Sequence, residues 1–425
     1  MKKIFSVCLS LIIMFCLGSA VSADYDVPDF SEFPKSYRPL LKELYEQHPE
    51  WSFIPFETAL SWDEVMEAEQ EETRNLVPVS NDTNSTWKVI SKQWFFEGDT
   101  TIYSTTSGSG WVQASDEVIA YFIDPRNFIN EDDIFQFELL SFNPETQGVD
   151  GIEQILEGTY MHEALLEDEL TYAEALMEIG ERLDISPYHL ASRLRQEQGA
   201  KGNPLISGEM EGFEGYYNYF NIGASGTTNA DVYANGIKTA KERGWDTPYK
   251  AIEGGALELS KKYIARGQDT LYLQKFDVDK SFDGLYWHQY MQNLQAAHRE
   301  GVSVKKTYQE LDMLYFPFTF KIPVFEDMPD DPCPRPDGDY KPRFSVDPVK
   351  VKSGTVTAKY TITNSEIRDI AFTAALLIYD EDGALCGFEC EAGELESGET
   401  ATPKITHKNK NATDGKGFIL KQEAK

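Results

Sequence analysis

Residues 186–199 read Ser186-Pro187-Tyr188-His189-Leu190-Ala191-Ser192-Arg193-Leu194-Arg195-Gln196-Glu197-Gln198-Gly199. The stretch spells one helix with both ends marked. A serine hydroxyl caps the first free N–H groups, and proline at the first helical position gives up no hydrogen bond. Gly199 supplies a left-handed stop. Leu190 and Leu194 mark the inward face, and Glu197, seven residues after the first and three after the second, falls on it in the last turn. There, desolvation and the negative helix end both oppose ionisation of the carboxyl. A protonated carboxyl of this kind is what a general acid requires. The plainer alternative is a surface ion pair between Arg193 and Glu197 at i,i+4, which works against the acid because a close guanidinium favours the carboxylate.

The next stretch, 201–236, is rich in Gly, Asn, Tyr and Phe and suits a small irregular β-lobe. Tyr216, Tyr217, Tyr219 and Phe220 cluster there beside Asn218 and Asn221. Aromatic faces stack on sugar rings, and amides bond hydroxyl and acetamido groups, so these six are the expected saccharide-binding set. Ordinary aromatic packing is the alternative. Upstream, Thr171 and Glu174 form a capping box for a helix to Leu183. Ser61 with Glu64, and Ser115, start two further helices, the second stopping before Asp124-Pro125. Residues 39–48 are amphipathic. Residues 80–110, with Trp94-Phe95-Phe96, read as an aromatic-rich loop or small β excursion. Downstream, helices are expected near Gly236 and over 247–266, and 286–299 closes the region.

The outer parts differ in texture. Residues 1–23 have the basic start, short apolar stretch and Val21-Ser22-Ala23 site of a signal peptide. The expected product is released, or held at the cell surface by recognition, with no membrane anchor after processing. Residues 323–342 hold six prolines and many acids, a linker composition. Residues 343–425 alternate strand formers with turns, as a small sandwich does. The sequence thus divides into a signal peptide (1–23), an N-terminal helical and aromatic-rich region (24–160), a helical domain with a β-lobe (161–322), a linker (323–342) and an all-β immunoglobulin-like domain (343–425).

The chain has 425 residues, 41% of them hydrophobic, and a formal charge of −32 from 39 Lys plus Arg against 71 Asp plus Glu. That balance excludes sequence-independent nucleic-acid binding and charge-driven adhesion to an anionic membrane or teichoic acid. Beyond the signal peptide only Cys333, Cys386 and Cys390 remain, which is no disulfide framework. Cys386 and Cys390 are the nearest candidates for one pair. No HExxH, cysteine cluster, GxSxG or P-loop is present, so no metal and no cofactor are expected.

The segments Ala191 to Gly199 and Gly215-Tyr216-Tyr217-Asn218-Tyr219-Phe220-Asn221-Ile222-Gly223-Ala224 together resemble the bacterial autolysin endo-β-N-acetylglucosaminidases. Gly244-Trp245, Gly254-Gly255-Ala256, Gly267-Gln268, Thr270-Leu271-Tyr272 and Tyr286-Trp287-His288-Gln289-Tyr290-Met291-Gln292-Asn293 extend the resemblance over 165–300. His48-Pro49-Glu50-Trp51 and Asp124-Pro125-Arg126-Asn127-Phe128 are similar to the N-terminal part of longer secreted members. The resemblance implies a mainly α, lysozyme-like glucosaminidase fold that hydrolyses the β-1,4 bond after N-acetylglucosamine in peptidoglycan glycan strands. It implies Glu197 as general acid, Asp231 as second group by position, and Tyr290, in a closing helix, steadying the transition state. Glu214, Glu211 and the substrate's own acetamido group are alternatives to Asp231, and Tyr286 is an alternative to Tyr290. Gln198-Gly199 stands where many members have Ser-Gly-Trp-Gly, which touches the neighbouring subsite. Two rival functions fit the same residues: a lytic transglycosylase, and a non-catalytic wall-binding or adhesion protein.

Overall fold

The structure is a computed structural model. It describes residues 28–80, 83–88, 94–97, 100–101, 110–282, 284–336, 343–364, 370–396 and 399–423. The expected signal peptide, 1–23, lies outside them. The helices are α1 Arg38–Gln47, α2 Trp62–Glu69, α3 Asp116–Ile123, α4 Val149–Leu156, α5 Tyr172–Leu183, α6 Pro187–Gln198, α7 Asn229–Arg243, α8 Pro248–Lys262, α9 Leu271–Phe276 and α10 Ala296–Glu310. Their starts follow the side chains read as caps. Ser61, Ser115, Thr171 and Ser186 each accept a backbone N–H at the head of α2, α3, α5 and α6, and Thr171 and Glu174 close a reciprocal box. Among the described residues no helix is long and apolar enough to cross a membrane.

One apolar core runs from Phe33 to Cys333. The regions 24–160 and 161–322, expected as successive units, therefore share an interior. A parallel pair of strands joins their ends: Ser52–Ser61 runs beside Thr319–Glu326, with Ser52 opposite Thr319. Trp51 is buried at this seam and stacks on His48 at 3.7 Å. Parallel strands need a long crossover, and here the crossover carries helices α2 to α10. No local periodicity could show it.

Three expectations change. Residues 199–228 contain no strand, only the short turn Pro204–Ile206 among loops, so the lobe is not a β-lobe. Its glycines turn the backbone instead; Gly208 sits at φ +66, and a Cβ there would lie 2.6 Å from the Tyr217 hydroxyl. Second, the supposed linker is anchored. Residues 323–326 finish a buried strand, and Cys333 is buried with its N–H on Asp124 Oδ2 at 2.8 Å. Third, the segment 286–295 is irregular, and helix begins only at Ala296.

The described residues of 343–423 form two sheets around a separate core that includes Val356, Tyr360, Leu376 and Ile419. One sheet orders Leu385–Leu395, Ile370–Tyr379 and Asp414–Glu423. It is then extended by Trp94–Glu97, with Phe96 opposite Ile419, so the expected β excursion joins the far end of the chain. Cys386 and Cys390 are free and lie in a single strand. Four residues of strand span ~13 Å, beyond disulfide reach, and this removes the suggested pair.

Candidate active site

Helix α6 buries Tyr188, Leu190, Ala191 and Leu194 and ends at Gly199, φ +59. Glu197 emerges in its last turn with its side chain 27% exposed. The loop segment carrying Asn221 closes over it. Asn221 adopts φ +51, a left-handed conformation that asparagine tolerates. From there its Nδ2 donates to Glu197 Oε2 at 2.9 Å and to the Glu197 carbonyl at 3.1 Å. Asn203 Nδ2 donates in turn to Asn221 Oδ1 at 2.9 Å, while Asn203 Oδ1 accepts the Leu205 N–H at 2.8 Å. These bonds settle which way the Asn221 amide faces: its NH2 towards the carboxylate and its oxygen away. Gln198 completes the frame, donating to the Tyr219 carbonyl at 2.6 Å.

The surface pair foreseen for Glu197 is also present. Arg193 Nη2 stands 3.7 Å from Glu197 Oε1. Arg193 is shared, because it also acts electrostatically on Tyr290 and Glu300. Glu300, in the first turns of α10, acts electrostatically on Tyr290, and burial raises its own carboxyl above the usual range. Burial and Glu300 likewise raise the Tyr290 phenol. Tyr290 is 44% exposed and meets Tyr263 edge-on at 6.1 Å. Glu300 carried no signal in the sequence; only the fold brings it to Tyr290.

Tyr290 sits in the irregular segment before α10 rather than in a closing helix, because partners far along the chain hold the backbone. Its N–H donates to the Gln274 carbonyl at 2.8 Å, and the His288 N–H donates to Asp277 Oδ2 at 2.8 Å. Beneath lies a buried polar cluster. Lys275 Nζ donates to Gln289 Oε1 at 3.0 Å and Asn75 Oδ1 at 2.8 Å, and Gln289 Nε2 donates to Glu69 Oε1 at 2.9 Å. Leu76 exchanges backbone bonds with Gln292 and Leu294. The N-terminal part of the chain thus fixes the segment that carries Tyr290.

The six expected sugar-binding residues divide. Asn218 is fully buried and spends its amide on the Ile222 and Gly236 carbonyls, at 2.8 and 2.9 Å. Tyr219 is buried with its hydroxyl 3.0 Å from that of Tyr172. Phe220 is buried against α8, where a Cβ on Gly255 would lie 2.2 Å from its ring. These three are scaffold, not sugar contacts. Tyr216 and Tyr217 are half-buried, and Asn221 touches the carboxylate.

Asp231 is exposed and committed elsewhere. Its Oδ2 accepts from the Thr228 hydroxyl at 2.7 Å, the Thr227 hydroxyl at 3.2 Å and the Thr228 N–H at 3.2 Å, as the box that starts α7. Those bonds, the Thr228 hydroxyl first, hold its carboxyl below the usual range. Position near the lobe suggested it, but capping accounts for it. Glu214 is exposed and accepts the Gly212 N–H at 3.0 Å, and Glu211 is exposed.

The site is a half-buried carboxylate at a helix end, gripped by an amide and paired with an arginine that also acts on Tyr290. No family model matches the chain. A β-N-acetylglucosaminidase of Bacillus subtilis (strain 168) is 29% identical over 212 residues, which are 49% of this chain and 22% of that protein. A bifunctional autolysin of Staphylococcus aureus (strain MSSA476) is 27% identical over 210 residues, 47% of this chain and 16% of that one. The chain therefore spans less than a quarter of the length of these curated relatives. A crystal structure of the major bifunctional autolysin aligns with 64% of this chain and 98% of its own at TM-score 0.45 and 21% identity. Over about half its length the chain is thus similar to proteins named β-N-acetylglucosaminidase and bifunctional autolysin.

Proposed function

We propose that the chain is a secreted, wall-acting endo-β-N-acetylglucosaminidase that hydrolyses β-1,4 bonds after N-acetylglucosamine in peptidoglycan glycan strands. The observation that carries this reading is Glu197, presented at the end of α6 with one oxygen bonded by Asn221. In the mechanism, Glu197 passes its proton to the glycosidic oxygen as the bond breaks, and Arg193, 3.7 Å from Oε1, favours the carboxylate left behind. The Tyr290 hydroxyl, under the influence of Glu300, faces the developing positive charge. Because Asp231 is occupied as a cap, the substrate's acetamido group is the better second participant, and water then completes hydrolysis. The lysozyme-like and immunoglobulin-like descriptions of the two cores belong to this proposal too.

Glu197→Gln keeps the shape of the side chain and removes its proton chemistry. Muropeptide release should fall by at least ~10³-fold with the circular dichroism spectrum unchanged; near-normal release would refute the assignment. The occupied Asp231 keeps a lytic transglycosylase as second reading, since that reaction also runs on one carboxyl. End-group mass spectrometry separates the two. A reducing N-acetylglucosamine supports hydrolysis, and an anhydromuramic end supports the rival.

A further inference from the structure

Trp287 is 76% exposed, the most exposed of the large hydrophobic side chains described. An exposed apolar residue alone means little, but this one is built into place. The Arg74 guanidinium lies 4.7 Å from the indole centroid. Arg74 is itself only 8% exposed and is pinned at both ends: Nη1 donates to the Tyr286 carbonyl at 2.6 Å, and Nη2 pairs with Glu71. The backbone is equally fixed. Tyr286 holds φ +67, a conformation a bulky residue adopts only when its surroundings impose it. The Tyr286 N–H donates to the Asp277 carbonyl and the Trp287 N–H to the Gly284 carbonyl, both at 2.9 Å. One face of the indole is therefore backed by a buried cation, and the other meets solvent. Such backing strengthens the hold on the ring and leaves a rigid aromatic plane that loses little freedom on binding.

Trp287 lies three residues before Tyr290 on the same pinned segment, at most ~11 Å away along the chain. From these observations we propose that Trp287, set on Arg74, is a sugar-stacking platform that binds the glycan strand beyond the residues at the cleaved bond. The ligand is a polymeric N-acetylhexosamine chain, whose rings present the flat apolar faces an indole stacks upon. The platform rests on the glucosaminidase reading above. It also gives the N-terminal part a task, since Glu71 and Arg74 come from the loop after α2 while the indole comes from the catalytic half.

The experiment uses the full chain with Glu197→Gln, which binds without turnover. Tryptophan fluorescence is titrated with an N-acetylglucosamine hexamer and with the disaccharide, and pelleting is measured on purified glycan strands. Trp287→Ala in this background should weaken hexamer and strand binding by roughly tenfold or more and leave disaccharide binding unchanged. Trp287→Phe should restore most of the loss, which a folding defect would not allow. In the active enzyme, Trp287→Ala should raise KM on long strands with kcat kept. Unchanged hexamer and strand affinity in Trp287→Ala overturns the platform while leaving the function of Glu197 standing. A wild-type chain that neither binds nor cleaves glycan overturns both.

Discussion

At the scale of single residues, the geometry around Glu197 is decided by the orientation of one amide. Asn221 presents its NH2 because Asn203 donates to its oxygen. Asn203→Asp keeps the oxygen that accepts the Leu205 N–H and replaces the donor by a charged acceptor, so the Asn221 amide is drawn to turn its NH2 away from Glu197. We expect kcat to fall roughly 10- to 150-fold with KM unchanged, one amide–carboxylate hydrogen bond being ~1.5–3 kcal/mol. In an Asn221→Gly background, where glycine accepts the left-handed backbone, the same substitution should cost nothing further; additive losses would place Asn203 outside this chain of contacts. A second residue prediction concerns Glu138, fully enclosed and bonded to the Tyr308 hydroxyl at 3.1 Å. Burial pushes its carboxyl from 4.5 up to about 8. The folded chain then keeps a proton that the unfolded chain has lost, so stability declines as pH rises from about 4.5 to about 8. Glu138→Gln should flatten that decline at ~1.4 kcal/mol per unit. Urea midpoints at the two ends of the window test it, and an unchanged slope would show that Glu138 does not contribute.

Elements divide by the range of the forces that set them. Helix α6, its cap, its stop and the inward placing of Leu190, Leu194 and Glu197 were legible because capping and periodicity act within one turn. The segment 286–295 was not, because its hydrogen bonds go to Gln274, Asp277 and Leu76. The same limit explains Asn218: an amide beside tyrosines reads as a sugar ligand until the Gly236 carbonyl is found against it. Proline-rich composition misled in the same way at 327–336. There the buried Asp124–Arg126 pair does the anchoring. Arg126 bonds Asp124 through Nε and Nη2 at 2.9 and 2.7 Å, and reaches the carbonyls of Pro329, Asp330 and Asp331. Thr86 and Trp87 hold the Pro336 carbonyl further on. Arg126→Ala leaves Asp124 buried and unpaired, and should cost about 3–5 kcal/mol. Limited proteolysis should then cut first within 327–336. A cleavage pattern and melting temperature equal to wild type would mean that the strap is held by other contacts.

At the scale of the whole molecule, charge sets the terms on which a chain with the proposed function meets a wall. A formal charge of −32 repels anionic polymer, so in the proposed function retention has to come from short-range contacts at the glycan. Repulsion between like charges is long-range only in dilute salt, where the Debye length is ~30 Å at 0.01 M against ~8 Å at 0.15 M. Stacking and amide contacts change little over that range. Sedimentation with walls that retain teichoic acid should therefore increase as salt rises between these limits, opposite to a cationic wall binder. Walls stripped of the anionic polymer should show almost no salt effect, and should retain more of the chain at low salt than intact walls do. A fall in retention with added salt would mean that a local cationic surface, not the glycan contacts, brings the chain to the wall.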